Sequence, residues 1–166
     1  MTAKDITTAL INYYDPRKVF IIPNVSWGWN IHECDLFVVN NNRFGYEIEI
    51  KISIADLKHD AVKNHQHMDK HNRIKYLWFA VTDEMIDKGC QQYIPEGAGI
   101  FSVGYKKVRY NGADGKYFDV KVIRNPTAVP NHRKITDEEM LSLGRLSMIR
   151  MCSLIKKDQL NIPSND

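Results

Sequence analysis

Cysteine is sparse in this chain, and no two cysteines lie near one another in sequence. Three cysteines, Cys34, Cys90 and Cys152, are scattered over 166 residues. An odd, widely spaced set argues against a disulfide scaffold, and the absence of any C-x-x-C argues against a structural zinc site. No apolar run approaches the roughly 18 residues that a membrane-spanning helix needs, and the N-terminus lacks the apolar core of a secretory signal. A cytoplasmic protein without a membrane partner is expected. Internal repeats and low-complexity tracts are also missing, which excludes solenoids and linker-like chains. There is no nucleophile elbow and no Ser, His and Asp in catalytic order, which disfavours a small-molecule hydrolase of that type.

What is present is a composition that folds: 43% hydrophobic and 26% charged residues, enough for one domain with a sizeable core. The net charge of +3 conceals a segregation. Residues 1–50 hold four basic and six acidic side chains, residues 51–75 hold six and three, and residues 105–134 hold eight and two. An acidic region flanked by basic ones suits a centre that holds a cation and grips a polyanion. Lysines scattered over a solvated surface are the plainer alternative.

Helical spacing of Ile6, Ala9, Leu10 and Tyr13 predicts a helix over Asp5–Tyr14, ended by Pro16. Val19–Ile22 reads as a short strand, Trp27–Asn30 as a loop, and Glu33–Val39 and Tyr46–Lys51 as strands joined by Asn40–Gly45, whose Asn and Gly tolerate positive φ. Ser53 is a candidate cap for a helix running to His71 with Ile54, Leu57, Ala61 and Met68 inward. Lys75–Val81 is a buried strand, Asp83–Asp87 one helical turn, and Gly99–Tyr105 another strand. Val108–Val122 reads as a hairpin turning at Asn111–Gly115. After a crossing loop at Asn125–Pro130, Thr136 and Glu139 form a capping box for a helix with Met140, Leu141, Leu143, Leu146, Ile149 and Leu154 inside. The order predicts a mixed α/β sheet with helices on its faces.

The chemistry concentrates in the hairpin Glu33–Lys51. Asp35 on one strand and Glu47, Glu49 and Lys51 on the next are brought together when it folds. Acids and a lysine interleaved with Leu36, Val38, Ile48 and Ile50 are costly in a sheet unless they hold a metal or an anion. Mg²⁺ takes oxygen ligands and keeps several waters, so two carboxylates and a backbone carbonyl, that of Ile50, suffice to hold it. Glu33, two residues before Asp35, is a candidate further ligand, as is Glu47; a residue at a sheet edge paired with a lysine is the alternative for each. Cys34, on the opposite pleat, is expected in the core.

Asp35, thirteen intervening residues and then Glu49-x-Lys51 resemble the PD-(D/E)xK superfamily of metal-dependent nucleases. The run Glu47–Ser53 followed by Asp56 and Asp60–Lys63, then Tyr76–Val81 and Ile94–Ile100, resembles the branch of bacterial MmcB-like DNA-repair proteins and related phage proteins. Cys34 stands where the motif often has proline. The resemblance implies a restriction-endonuclease-like fold in a single domain, with a core over about residues 5–104 and a basic hairpin and C-terminal helix over 105–157. It implies Asp35, Glu49 and Lys51 as catalytic residues, with Mg²⁺ or Mn²⁺ on Asp35 and Glu49. The activity implied is cleavage of DNA, as endonuclease or exonuclease, in repair, recombination or phage DNA processing within a bacterial or phage-infected cell. A non-catalytic DNA-binding or complex-assembly protein of the same fold is the alternative, and an RNA-directed nuclease is a third.

Phosphate contacts are expected from Lys63 and Lys70 on the helix after the motif, and from Lys106, Lys107 and Arg109 in the second basic segment. There, Lys116, Lys121 and Arg124 interleave with Tyr105, Tyr110 and Tyr117, a pattern that holds nucleic acid by charge and stacking, or packs on a sheet. His67 and His71 are spaced i, i+4 but lack a third ligand for zinc. Gly97 and Gly99 suit a tight strand entry, and Trp27 and Trp29 a core lid. No recognition domain is appended, so sequence specificity would require a homodimer or a partner protein.

Overall fold

Thr2 opens the first helix. Its hydroxyl accepts from the Asp5 N–H at 3.2 Å, and the Asp5 carboxylate accepts from the Thr2 N–H at 2.8 Å. The computed structural model describes residues 1–25, 34–62, 72–110 and 113–160. Helix α1 (Ala3–Tyr14) leads into strands β1 (Phe20–Val25), β2 (Cys34–Val39) and β3 (Gly45–Ile50). Helix α2 (Ile54–Val62), strand β4 (Ile74–Thr82), helix α3 (Asp83–Asp87) and a 3-10 turn at Cys90–Tyr93 follow. Strands β5 (Gly99–Tyr110) and β6 (Ala113–Arg124) make a long hairpin before helix α4 (Asp137–Leu160).

The strands form one sheet in the order β1-β2-β3-β4-β5-β6. Pairing is parallel between β3, β4 and β5 and antiparallel elsewhere. Parallel neighbours need a crossover, supplied by α2 and then by α3 with the 3-10 turn. The protein is thus a mixed α/β single domain, in which the described residues form a six-stranded sheet flanked by four helices.

One face of the sheet is closed by α1, whose Ile6, Ala9 and Leu10 cover Leu36, Ile48, Trp78 and Phe101. The other face is closed in two patches. Ile22, Phe37, Val39 and Ile74 meet Ile135 and Leu143. Phe79, Val81 and Ile100 meet Leu57, Met85 and Ile94. Strand β3 lies between the strands that supply these patches, and on this side it carries Glu47 and Glu49 rather than apolar residues.

Several local expectations change. In the β2–β3 loop the left-handed residue is Arg43, at φ 64, not an Asn or Gly. Asn40 makes this possible, because its Oδ1 accepts from the N–H groups of Asn42 and Phe44, both at 3.0 Å. Gly45 is there for room: a Cβ would fall 2.5 Å from the Phe37 ring and 2.6 Å from the Arg73 carbonyl oxygen. The second hairpin is longer-armed than expected. Ala113, Asp114 and Gly115 pair with Tyr110, Arg109 and Val108, leaving only Asn111 and Gly112 between the strands. Those two lie outside the described residues, as do Trp27, Trp29 and the stretch 63–71 into which α2 was expected to continue. Ser53 does cap α2, its Oγ accepting from the Asp56 N–H at 3.1 Å.

In α4 the capping box forms, Thr136 Oγ1 accepting from the Glu139 N–H and Glu139 from that of Thr136. Glu139 also takes two hydrogen bonds from the Arg133 guanidinium, at 2.8 and 2.6 Å, which hold its carboxyl down at about 2. Leu143 is buried, but Leu141 and Ile149, expected inside, are 58% and 62% exposed. A helix lying on a sheet buries one stripe, and these two residues lie on the other side of α4 from Leu143.

Candidate active site

Two strand ends meet at the site. Strand β2 runs antiparallel to β3 with Leu36 opposite Ile48 and Phe37 opposite Glu47, so the start of β2 lies beside the carboxyl end of β3. Asp35 and Glu49 therefore come together, and the Ile50 N–H donates to Asp35 Oδ2 at 2.7 Å. That bond fixes the Asp35 carboxylate across the strand pair. Lys51 leaves the end of β3 with its N–H bonded to the Ala80 carbonyl at 3.0 Å, and its ammonium returns to Glu49 Oε2 at 3.2 Å. The three residues singled out by the motif, Asp35, Glu49 and Lys51, are thus assembled, with Ile50 between them.

Burial makes the arrangement costly. Glu47 is 0% exposed, and Glu49 and Lys51 are each 7% exposed. Glu47 is not at a sheet edge, since β3 is paired on both sides. Glu49 Oε1 is buried with no hydrogen-bond partner among the described residues. The Glu49 carboxyl is raised to about 7, first by burial, then by the charges of Asp35 and Glu47, against the opposing pull of Lys51. The same acids reach Cys34, whose thiol is pushed far up by burial and by Glu47, Glu49 and Asp35. It is an inert core group rather than a nucleophile.

Strict alternation would send Cys34 to the α1 face. Instead it packs with Val25 and Phe37 on the face opposite α1, which corrects the expectation of an opposite pleat. Asn24, at φ 50, breaks the alternation opposite Asp35, between the pairs Pro23–Leu36 and Val25–Cys34. Sequence reasoning passed over Asn24. Its signal was modest: an Asn, one of the few residue types that accept the left-handed region, inside an otherwise apolar strand.

A divalent cation that keeps part of its coordination sphere for water fits these residues. Three carboxyl groups face one ammonium in a buried place, and a polar atom of Glu49 lacks a partner there; a cation supplies both charge and coordination. No group of three or more His, Cys, Asp or Glu among the described residues forms a ready cage, and Mg²⁺, which keeps waters, does not require one. Glu33, Lys63 and Lys70 lie outside the described residues.

The basic hairpin divides between the two sides of the sheet. Ser102 and Gly104 of β5 face α3, where the Ser102 hydroxyl donates to Asp83, and Lys106 continues that side by alternation. Lys107 falls on the α1 side with Phe101, Val103 and Tyr105. Both lysines are exposed. The Arg109 backbone pairs opposite Asp114, and its side chain lies outside the description. The Arg124 guanidinium donates to the carbonyls of Ala98 at 2.8 Å and Pro95 at 2.6 Å, tying down the run that enters β5. Lys121 lies 3.3 Å from Asp83 and 3.7 Å from Asp119. Gly99 gives its space to the Trp78 ring.

No protein-family model and no curated protein matches this chain. A solved structure does: SPO1766, a protein of unknown function from Silicibacter pomeroyi. It matches with a TM-score of 0.60 at 11% sequence identity, over 100% of this chain and 98% of that one. At that identity the likeness is one of fold. No helix among the described residues is long and apolar enough to cross a membrane.

Proposed function

We propose that this chain is a metal-dependent nuclease of restriction-endonuclease-like type that hydrolyses phosphodiester bonds in DNA. The observation that carries the reading is the group Asp35, Glu49 and Lys51 at the carboxyl end of β3, with Glu49 and Lys51 buried, Glu49 Oε1 short of a hydrogen-bond partner and the Glu49 carboxyl raised to about 7. In sheets with parallel strands, ligands bind beyond the carboxyl ends. Asp35 and Glu49 would hold Mg²⁺ or Mn²⁺, with the Ile50 carbonyl and Glu33 or Glu47 as further donors. When bound, the metal supplies polarisation of the scissile phosphate and a lowered pKa for the attacking water.

The protein's own residues supply the rest. Asp35 is oriented by the Ile50 N–H, so its carboxylate does not have to be ordered when substrate arrives. The Lys51 ammonium, beside Glu49, can orient the water and counter charge building on the phosphorus and its oxygens. Water attack with departure of the 3′-oxygen leaves a 5′-phosphate and a 3′-hydroxyl. Lys106 and Lys107, with Lys63, Lys70 and Arg109, are the proposed phosphate contacts. The setting consistent with this chemistry is DNA repair, recombination or phage DNA processing in the cytoplasm.

The second reading, a DNA-binding or assembly protein that does not cut, is weakened because all three motif residues are present and gathered. Cleavage of supercoiled, linear, single-stranded and branched DNA with Mg²⁺ and with Mn²⁺ decides between them. Lys51→Ala and Asp35→Asn should each lose cutting at least 100-fold while circular dichroism and DNA binding persist. Binding without metal-dependent cutting by the wild-type protein would favour the second reading.

A further inference from the structure

Among the described side chains, those that anchor helix α4 to the sheet lie in its first half. Leu143 is buried and Met140 and Leu146 pack beside it, whereas every described side chain from Met151 to Lys156 is exposed. On the far side from Leu143, positions Leu141, Arg145, Met148, Cys152 and Ile155 follow one another at alternating steps of four and three. That is the 3.5-residue repeat of a coiled-coil seam. Leu141, Met148 and Ile155 on this row, and Ile149 and Met151 flanking it, are each more than half exposed. Part of the row lines an open groove of about 460 Å³. A helix of this length with large apolar groups in water along one side is poorly supported by its own backbone bonds, because most helix stability in proteins comes from packing a face.

We propose that this row is a self-association surface, on which α4 pairs antiparallel with α4 of a second copy of the chain. Charge selects both occupant and direction. The first turn of α4 is acidic, with Asp137, Glu138 and Glu139. Asp137 pairs with Arg43 and Glu139 with Arg133 of the same chain, so Glu138 is the acid that faces a partner. The later turns carry Arg145, Arg150, Lys156 and Lys157 against one acid, Asp158. Antiparallel helices lay each acidic start along the other's basic end and oppose their macrodipoles; parallel helices set like charge against like. One register satisfies the whole row. With Arg145 opposite Met148, Leu141 meets Cys152 and Glu138 meets Ile155, next to Lys156. Arg145 can lie along the apolar seam by its methylenes with its head in water. A nucleic acid would match the arginines but not the apolar row between them. The pairing is independent of the nuclease reading.

The test is sedimentation equilibrium of the full chain between about 1 and 100 µM. Wild type should sediment as a dimer, and Met148→Glu with Ile155→Glu as a monomer with an unchanged circular dichroism spectrum, both positions being exposed. Leu141→Cys should join to the partner's Cys152 on mild oxidation, giving a covalent dimer that Leu141→Cys with Cys152→Ser does not form. A wild-type monomer throughout, or a dimer that survives the double substitution, overturns the proposal. So does covalent dimerisation of wild type through Cys152 alone, since the antiparallel register separates the two thiols by about 16 Å.

Discussion

Replacing Glu49 by Gln tests whether the motif carboxyl is a charge held out of water to await a cation. In the folded protein the Glu49 carboxyl titrates near 7, against an ordinary 4.5. It therefore binds its proton more tightly folded than unfolded. The stability linked to it is fully present below about 4.5 and is lost as pH rises through about 7. At 1.36 kcal/mol per pKa unit the loss amounts to about 3 kcal/mol by pH 8. Gln has the same shape and no charge to bury. Metal-free Glu49→Gln should therefore match wild type near pH 5 and exceed it at pH 8 by up to about 3 kcal/mol, or roughly 6–12 °C in Tm for a chain of this size. Divalent cation closes most of that gap. It should stabilise wild type at pH 8 by about 2.7 kcal/mol at a hundredfold excess over Kd and leave the Gln variant unmoved. Thermal unfolding followed by circular dichroism at the two pH values, with EDTA and then with Ca²⁺ or Mg²⁺, reads all four quantities. Equal stabilities at pH 8 in EDTA would refute the buried-charge argument, whether or not the protein cuts DNA.

The division of the basic hairpin gives a second expectation. Lys106→Glu should weaken DNA binding more than Lys107→Glu, because only Lys106 shares the sheet side of the carboxylates, and it should reduce the salt slope by about 1; fluorescence anisotropy over a salt series measures both. Gly45→Ala should destabilise by about 1–3 kcal/mol in urea unfolding, because its methyl would collide with the Phe37 ring and the Arg73 carbonyl. A neutral Gly45→Ala would mean that the β3–β4 entry can shift to make room.

Much of the architecture was legible in the residues because its signals are local. The α1 stripe Ile6, Ala9 and Leu10, the Ser53 cap and the Thr136–Glu139 box each act over one or two turns, and each recurs in the structure. The candidate site was legible for a similar reason: Asp35 and Glu49 lie on adjoining strands joined by a short loop, so hairpin pairing alone nearly brings them together. Charge out of place in an apolar run marked them. The misreadings share a cause as well. Arg124 read only as part of a basic surface, because the carbonyls of Pro95 and Ala98 that its guanidinium ties down lie some thirty residues earlier in the chain. Leu141 and Ile149 read as core because hydrophobicity does not say which of two apolar stripes a helix will bury.

Sequence alone thus determined the elements, the mixed α/β class and the identity of the three motif residues, since periodicity, capping and a displaced charge are properties of neighbours along the chain. Tertiary structure decided everything that depends on partners distant in sequence. It put β3 between two strands, so that Glu47 and Glu49 are buried. It raised the Glu49 carboxyl through Asp35 as well as through burial. It broke the alternation at Asn24, decided that Lys106 rather than Lys107 shares the side of the carboxylates, and left the outer stripe of α4 in water. Burial and the electrostatic field are sums over the whole packed molecule, and no window along the sequence contains them.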